Sequence, residues 1–547
     1  MFGPVPDTVT AMRLSHASRV PGQEVPAPTV SPRPPSGAAL AGVLAAALAL
    51  GLTQFLAGAV HRVPSLVGAV GGTVVDWLPG PIVRFGIKTF GTDDKTFLVG
   101  VVLVLCGVAA AWLGAAGARH FHRAVAGFAG FGLVGFLAAL RDPQASGVAV
   151  FASTVGAVAV GLGALALLLR LASHPAPRAA TTKTPAAQPI GVPDRRLFLA
   201  AAGAVAAGAI VSTSAGRRLT QSAARASRVH YSLPPVAHPV PPPPAEAMVD
   251  VAGVAPLVVP GNRFYRTDTR LLGPPLVDAD RWRLRVTGMV DHPFELTFAE
   301  LLAMPMVEEY VTLCCVSNEV GGDLVGNAAW RGVPLTDLLN RAGIQRGATQ
   351  IVGRSVDGFT TGFPTDAAFD GRHALVAVGM NGELLPTLRG FPARMVVPGL
   401  YGYVSATKWL TEIQLTTWDA FDAYWVPRGW AKRAPIKTQS RIDTVSPLPA
   451  AAGPVAVAGV AWAPTRGISR VEVKVDDEPW TEARLAAPLS DDAWRQWVFR
   501  WDASAGDHVL AVRATDGRGE TQTAQETAPD PDGATGYHTI QVKVRAA

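Results

Sequence analysis

Two neighbouring cysteines, Cys314 and Cys315, sit in the stretch Val311-Thr312-Leu313-Cys314-Cys315-Val316-Ser317-Asn318. A disulfide between adjacent residues strains the backbone, so the two do not readily pair. The third cysteine of the chain, Cys106, lies in an apolar run, which leaves no disulfide framework for the rest. Free cysteine is most often a small buried core residue; the chemical alternative is a thiolate donor to a soft metal. Further on, Arg389-Gly390-Phe391-Pro392-Ala393-Arg394 and Val396-Val397-Pro398-Gly399 lead to Tyr401-Gly402-Tyr403, Ser405 and Lys408-Trp409-Leu410. Guanidinium forks grip phosphate bidentately, and lysine acts as a point charge. Gly399, Gly402 and Ser405 permit a loop whose backbone amides approach an anion. Each basic residue alone reads as a solvated surface charge; together with the loop they read as an anion cradle.

At these residues, and at Gly326-Asn327-Ala328-Ala329-Trp330-Arg331-Gly332-Val333-Pro334-Leu335, the sequence resembles the sulfite-oxidase family of molybdenum enzymes. In that family a Thr-Leu-x-Cys-x-x-Asn segment supplies the metal thiolate and a Trp-x-Gly-x-Pro-Leu segment follows it. A Phe-Pro-x-Arg…Pro-Gly…Lys-Trp-Leu block cradles the pterin. The resemblance runs from residue 249 to about residue 544. It implies a molybdenum-molybdopterin cofactor with one pterin and Cys315 as the metal ligand, with Cys314 at the neighbouring variable position. Adjacent side chains on an extended segment point to opposite sides, so one thiolate reaches the metal. It further implies that Arg394 and Lys408 bind the cofactor, with Arg389 where the family often has His or Asn, and Ser405 in the same loop. Upstream, Asn262-Arg263-Phe264-Tyr265-Arg266-Thr267-Asp268 resembles the family's first cofactor-contacting segment. Arg266 would face the pterin or the substrate pocket, and Asn262 or Tyr265 would touch the cofactor; the bland alternative is a Tyr/Phe packing cluster. For the family's active-site tyrosine, Tyr424 and Trp430 both lie in the right region, and either could simply pack between domains.

The implied reaction is two-electron oxygen-atom transfer on a small sulfur or nitrogen oxide, in the direction of sulfoxide reduction or of sulfite-type oxidation. One departure bears on substrate. Sulfite oxidases commonly place arginines directly after the Asn of the cysteine segment, whereas here Glu319 follows Asn318. A carboxylate there repels a dianion and points to a neutral or cationic substrate such as a sulfoxide. No Cys-x-x-Cys-His attachment occurs, and His61, His120 and His122 lie near span ends without haem-ligand spacing, so no haem is expected and a separate electron-transfer partner is. The reading from another class is a non-catalytic, membrane-tethered binding or assembly protein that retains the fold.

The elements that must position these residues divide the chain sharply. Before about residue 216 it is rich in Ala, Gly, Val and Leu; after about residue 249 it looks like ordinary soluble protein. Basic residues are scattered, and no RNA- or DNA-binding motif stands out, which excludes a nucleic-acid partner. Residues 1–36 are polar and Pro-rich and read as a disordered cytoplasmic tail. Apolar runs at 38–60, 97–116, 124–140 and 147–172 approach the roughly 20 residues that cross a hydrocarbon core. Between the first two, Pro79-Gly80-Pro81 interrupts weaker hydrophobicity and suggests an interfacial or re-entrant segment. Asp194-Arg195-Arg196-Leu197-Phe198-Leu199 and the small-residue run after it resemble a twin-arginine export signal, retained as a fifth span. That export route suits an enzyme that leaves the cytoplasm folded around its cofactor.

The charge bias agrees. Arg13, Arg19 and Arg33 precede the first span, Arg119 and Arg123 sit between the second and third, and Arg170, Arg178, Lys183, Arg195 and Arg196 lie around the fourth-to-fifth connection. With those places cytoplasmic, and Arg62, Arg84, Lys88 and Lys95 weakening the bias outside, five spans put the remaining chain beyond the cell membrane. The expected organisation is therefore multidomain: transmembrane helices at 37–216, a Pro-rich extended tether at 217–248, a mixed α/β molybdopterin domain at 249–435 and an immunoglobulin-like β-sandwich at 436–547. The last resembles the family's dimerisation domain and implies a homodimer through it. Within the third unit, residues 282–289, 374–380 and 394–397 read as strands, 334–342 as a helix, and 297–304 as a helix opened by a Thr297/Glu300 capping box. The tryptophans at 462, 480, 494, 497 and 501 read as core and interface packing.

Overall fold

The computed structural model describes residues 37–60, 62–77, 94–142, 145–172, 195–269, 274–444 and 450–546. The tail at 1–36 and the Pro79-Gly80-Pro81 interruption lie outside the described residues. The N-terminal part consists of α1 (Ala38–Ala59), α2 (Leu66–Trp77), α3 (Asp94–Gly117), α4 (Phe121–Ala139), α5 (Gly147–Ala172) and α6 (Arg195–Val229). Five of these helices, all but α2, are long and apolar enough to cross a membrane. Their outward faces carry Leu103, Val104, Leu105, Trp112, Phe131, Leu133 and Phe151, all exposed. Inward, small residues let backbones touch, as is usual where apolar burial gives helices no preference for each other over lipid. A Cβ on Gly51 of α1 would lie 2.7 Å from the Ala209 carbonyl oxygen of α6. Gly58 and Gly216 abut the facing helix's backbone in the same way, and Gly42 and Gly114 join α1 to α3.

The tether expected at 217–248 is corrected at its start. Helix α6 runs on to Val229, about 52 Å at 1.5 Å per residue, because residues 217–229 are rich in Ala and Arg and contain no proline. The following segment does not run free either. The Tyr231 ring meets Phe298 edge-on at 4.8 Å, the Pro234 carbonyl accepts from Arg331 at 2.8 Å, and the Pro241 carbonyl accepts from the Tyr310 hydroxyl at 3.0 Å. Proline donates no backbone hydrogen bond, but its carbonyl remains to be taken by a neighbour.

The next unit has two sheets. One orders β2 (Phe294–Thr297), β1 (Arg283–Gly288), β10 (Leu410–Thr416), β5 (Gln350–Ser355) and β6 (Thr360–Pro364). The other orders β3 (Val307–Cys314), β4 (Val325–Pro334), β7 (Leu375–Met380) and β8 (Glu383–Leu384), with β9 (Arg394–Val396) on β7. The expected capping box is present: Thr297 Oγ1 accepts from the Glu300 amide, and the Glu300 carboxylate accepts from the Thr297 amide, opening α7 (Phe298–Leu302). Helix α8 (Leu335–Ala342) follows Pro334, and all six residues of β7 are buried.

The C-terminal unit is β-rich. One sheet orders β11 (Gln439–Ile442), β13 (Gly453–Trp462), β17 (Arg495–Ala503) and β16 (Arg484–Leu485). The other orders β12 (Ala450–Ala451), β19 (His538–Arg545), β18 (Gly506–Asp516), β14 (Ile468–Val475) and β15 (Thr481–Glu482). Val457, Ala461 and Trp497 of the first share a core with Val471, Leu510 and Val512 of the second. The alternation along these strands made them legible in sequence.

Gly58→Val is expected to lower the thermal unfolding temperature of the detergent-solubilised chain by several degrees, since its side chain meets the Gly216 backbone. Gly156→Ala on α5, where a Cβ meets nothing within 4 Å, should leave it unchanged or slightly raised. Equal shifts for the two would show that the bundle is not packed as described.

Candidate active site

Strand β3 ends at Cys314, paired with Val325 of β4, and the chain turns at Cys315. That turn is tightly tied. The Cys315 amide donates to the Leu324 carbonyl at 2.9 Å, and the Asn318 amide to the Cys315 carbonyl at 3.1 Å. The Asn318 side-chain oxygen accepts from the Leu324 amide at 2.8 Å, so Asn318 is the internal strut of the loop. The C-terminal unit braces it from outside, with Arg441 donating to the Gly322 carbonyl at 2.7 Å.

The two thiols diverge. Cys314 is buried, and that burial, with Cys315 beside it, pushes its thiol well up. Cys315 is partly open. Beside it lies Tyr265, whose phenol is also held well up, first by burial and then by the neighbouring thiols. The Tyr265 ring stacks on Phe264 at 5.1 Å, and Phe264 meets Trp330 edge-on at 5.6 Å.

Around this aromatic wall the basic residues converge. Arg389 donates to the carbonyls of Gly261 at 2.9 Å and Tyr265 at 2.6 Å, with its guanidinium over the Phe264 ring. Arg394, on β9, lies over Trp330 at 4.8 Å and donates through Nη1 to the Arg389 carbonyl at 3.2 Å. Its Nε is buried with no hydrogen-bond partner. Burial first, then Arg389, holds the Arg394 guanidinium down to about 10. Lys408 is held down to about 8 by burial, against the opposing pull of Asp268. Gly390 makes the close approach possible: at φ +113°, an added Cβ would stand 3.1 Å from the Lys408 backbone.

Asp268 was missed by motif reasoning. Its carboxylate, with the side chain 3 % exposed, bridges Lys408 Nζ at 3.0 Å and Arg266 Nε at 2.8 Å. An acid among basic residues carries no signature until the fold brings Lys408 to it; the Arg266-x-Asp268 spacing, which puts both side chains on one side of an extended strand, was the available signal. Among the described residues, Arg266, Arg389, Arg394 and Lys408 thus surround a single bridging carboxylate.

The other expected residues have their own surroundings. Ser405, on α9 (Gly402–Ser405), turns its hydroxyl to the carbonyls of Leu400 and Tyr401, which commits its one proton to closing that turn. Asn262 is exposed. Tyr424 stands among Phe359 at 5.4 Å, Trp425 at 5.2 Å and the Arg428 guanidinium. Trp430 lies 5.8 Å from Tyr403, the neighbour of Gly402, where an added Cβ would be 3.7 Å from the Cys314 carbonyl.

Buried cations in excess, with an orphaned guanidinium donor, are what an anionic group would satisfy. The comparisons with known proteins agree in kind. Residues 272–425 match the family described as oxidoreductase molybdopterin binding domain. An uncharacterized oxidoreductase, YuiH, of Bacillus subtilis (strain 168) is 36% identical over 179 residues, covering 32% of this chain and 87% of that one. The sulfite oxidase of Arabidopsis thaliana is 28% identical over 331 residues, 49% of this chain and 83% of that one. Among solved structures, the sulfane dehydrogenase SoxCD from Paracoccus pantotrophus aligns at 24% identity with a TM-score of 0.47, over 53% of this chain and 82% of that one. The chain belongs to the sulfite oxidase family of molybdopterin-dependent oxidoreductases.

With Lys408 held down to about 8 by burial, inorganic phosphate should stabilise the cofactor-free protein more at pH 7 than at pH 9. Thermal shift against phosphate concentration reads this, and Lys408→Met should flatten the difference; a pH-independent shift in the parent protein would remove Lys408 from the anion site.

Proposed function

We propose that Cys315 holds molybdenum as its thiolate ligand and that Arg389, Arg394 and Lys408 hold the pterin phosphate. On this reading the chain performs two-electron oxygen-atom transfer on a small sulfur or nitrogen oxide. The observation that carries it is the partly open Cys315 beside a buried cluster of cations whose Arg394 Nε lacks a partner. Bound there, molybdenum-molybdopterin supplies the redox chemistry; a sulfoxide would take up two electrons and two protons and leave as sulfide plus water. The chain's own residues do the rest. Phe264 and Trp330 wall the site and exclude water. The Tyr265 phenol stays protonated at neutral pH and can hold a hydrogen bond to an oxygen atom beside Cys315. Glu319, exposed just beyond the cysteine turn, disfavours dianions at the mouth and suits a neutral or cationic substrate. Tyr424, packed between Phe359 and Trp425, and Trp430, packed on Tyr403, are the two candidates for the family's active-site tyrosine position.

On the same reading, the apolar helices anchor the chain in the cell membrane with the catalytic part outside, and a separate partner exchanges electrons with it. Helix α6 carries Arg195 and Arg196 at one end and Arg217, Arg218 and Arg225 towards the other, so its own charges do not choose an orientation. The resemblance to a twin-arginine signal supports the placement outside. The β-rich C-terminal unit is read as immunoglobulin-like and as the surface of a homodimer.

Full-length protein should contain about one molybdenum per chain, with pterin fluorescence after denaturation. Cys315→Ser should lose most of the metal and all turnover with a panel of sulfur and nitrogen oxides and a reduced dye, while Cys314→Ser keeps both. Molybdenum retained in Cys315→Ser, or rapid sulfite oxidation with no S-oxide reduction, would refute the ligand and the substrate class respectively. Alkaline phosphatase fused after Ala547 should be active if the catalytic part is exported, and inactive if it is not.

A further inference from the structure

Resting on that reading, the geometry points to Asp268 as the residue that sets the charge class of the substrate. Four cations crowd this site, and two are already engaged away from any substrate: Arg389 with the Gly261 and Tyr265 carbonyls, and Arg394 with the Arg389 carbonyl and the Trp330 ring. The other two, Arg266 and Lys408, share the Asp268 carboxylate. Arg266 is the most exposed of the four, its side chain 38 % exposed. Asp268 holds it by two contacts, at 2.8 Å to Nε and 3.4 Å to Nη2. An oxyanion that sought Arg266 would have to displace a buried carboxylate or bind against its charge. At partly buried sites that repulsion amounts to a large factor in affinity.

Arg266 and Asp268 therefore form a closed pair: the guanidinium is present, and the carboxylate it shares with Lys408 offsets one of the two positive charges. A neutral S- or N-oxide meets no such repulsion, because its oxygen needs only a hydrogen-bond donor. Glu319 adds a second, exposed carboxylate in the turn that Cys315 opens. Asp268 acts through Arg266 and Lys408, as a specificity-determining positioning residue.

The test uses full-length protein in detergent. It measures molybdenum per chain, KM for dimethyl sulfoxide with a reduced viologen donor, and the inhibition constant of sulfate, a dianion that does not turn over. The rise in unfolding temperature with sulfate gives a binding readout independent of turnover. Asp268→Asn is expected to keep its molybdenum and to tighten sulfate on the order of tenfold, a larger change than its shift in the sulfoxide KM. Asp268→Glu should behave as the parent, and adding Arg266→Gln to Asp268→Asn should abolish the gain. A metal-loaded Asp268→Asn with unmoved sulfate affinity overturns the assignment alone. So does loss of molybdenum from that variant, which would make the carboxylate a structural prop. A parent protein without molybdenum overturns the underlying functional reading as well.

Discussion

Burying positive charge is the constraint around which the catalytic part is arranged. Guanidinium and ammonium groups taken from water need compensation nearby, or they destabilise the fold. Here compensation comes in three forms. Backbone carbonyls of Gly261, Tyr265 and Arg389 accept from the two inner arginines. The faces of Phe264 and Trp330 offer their ring quadrupoles to the same groups. Asp268 supplies the one full negative charge among the described members of the cluster. These devices stabilise the cluster without saturating it. A fold that leaves Arg394 Nε unpartnered in its interior stores an affinity for an anion rather than spending it on its own chain.

The cysteine turn is held by a different logic, that of a joint between two units. Thr312, three residues before Cys315, is tied at both backbone and side chain to the C-terminal unit: its amide donates to the Asp492 carbonyl, and its hydroxyl accepts from the Trp494 amide. The Trp494 indole in turn donates to the Leu257 carbonyl, so the segment before Asn262 is fixed to the same post. Arg441 reaches the far side of the turn. Cys315 thus stands at the end of a buried strand whose two flanks are anchored outside its own sheet. The β-rich C-terminal unit is therefore part of what orients the cysteine turn.

Strand periodicity, the capping box at Thr297 and the apolar helices were legible because each depends on local chemistry. The cluster of Cys315, Tyr265, Arg389, Arg394 and Lys408 was legible through motif resemblance, and the fold brings these residues together. Three features were not. The extended tether was inferred from its prolines, but those begin at Pro234, and the Ala- and Arg-rich residues before them continue α6. The hydroxyl of Ser405, a residue read as part of an anion-approaching loop, closes its own turn on the Leu400 and Tyr401 carbonyls. Asp268 was invisible because its meaning lies in Lys408, brought to it only by the tertiary fold.

The continuation of α6 changes what the membrane part is for. In its last turn, Arg228 donates to the Leu384 carbonyl at 2.9 Å and lies over the Phe391 ring. Phe391 belongs to the same short block as Arg389 and Arg394, and it meets Phe298, which meets Tyr231 just beyond the helix. Helix α6 therefore ends against the block that carries Arg389 and Arg394 rather than in a flexible linker. A Pro-rich coil at that point would have left the two parts free to reorient. A helix of about 52 Å, docked at its tip, fixes the height and orientation of the cluster relative to the bundle.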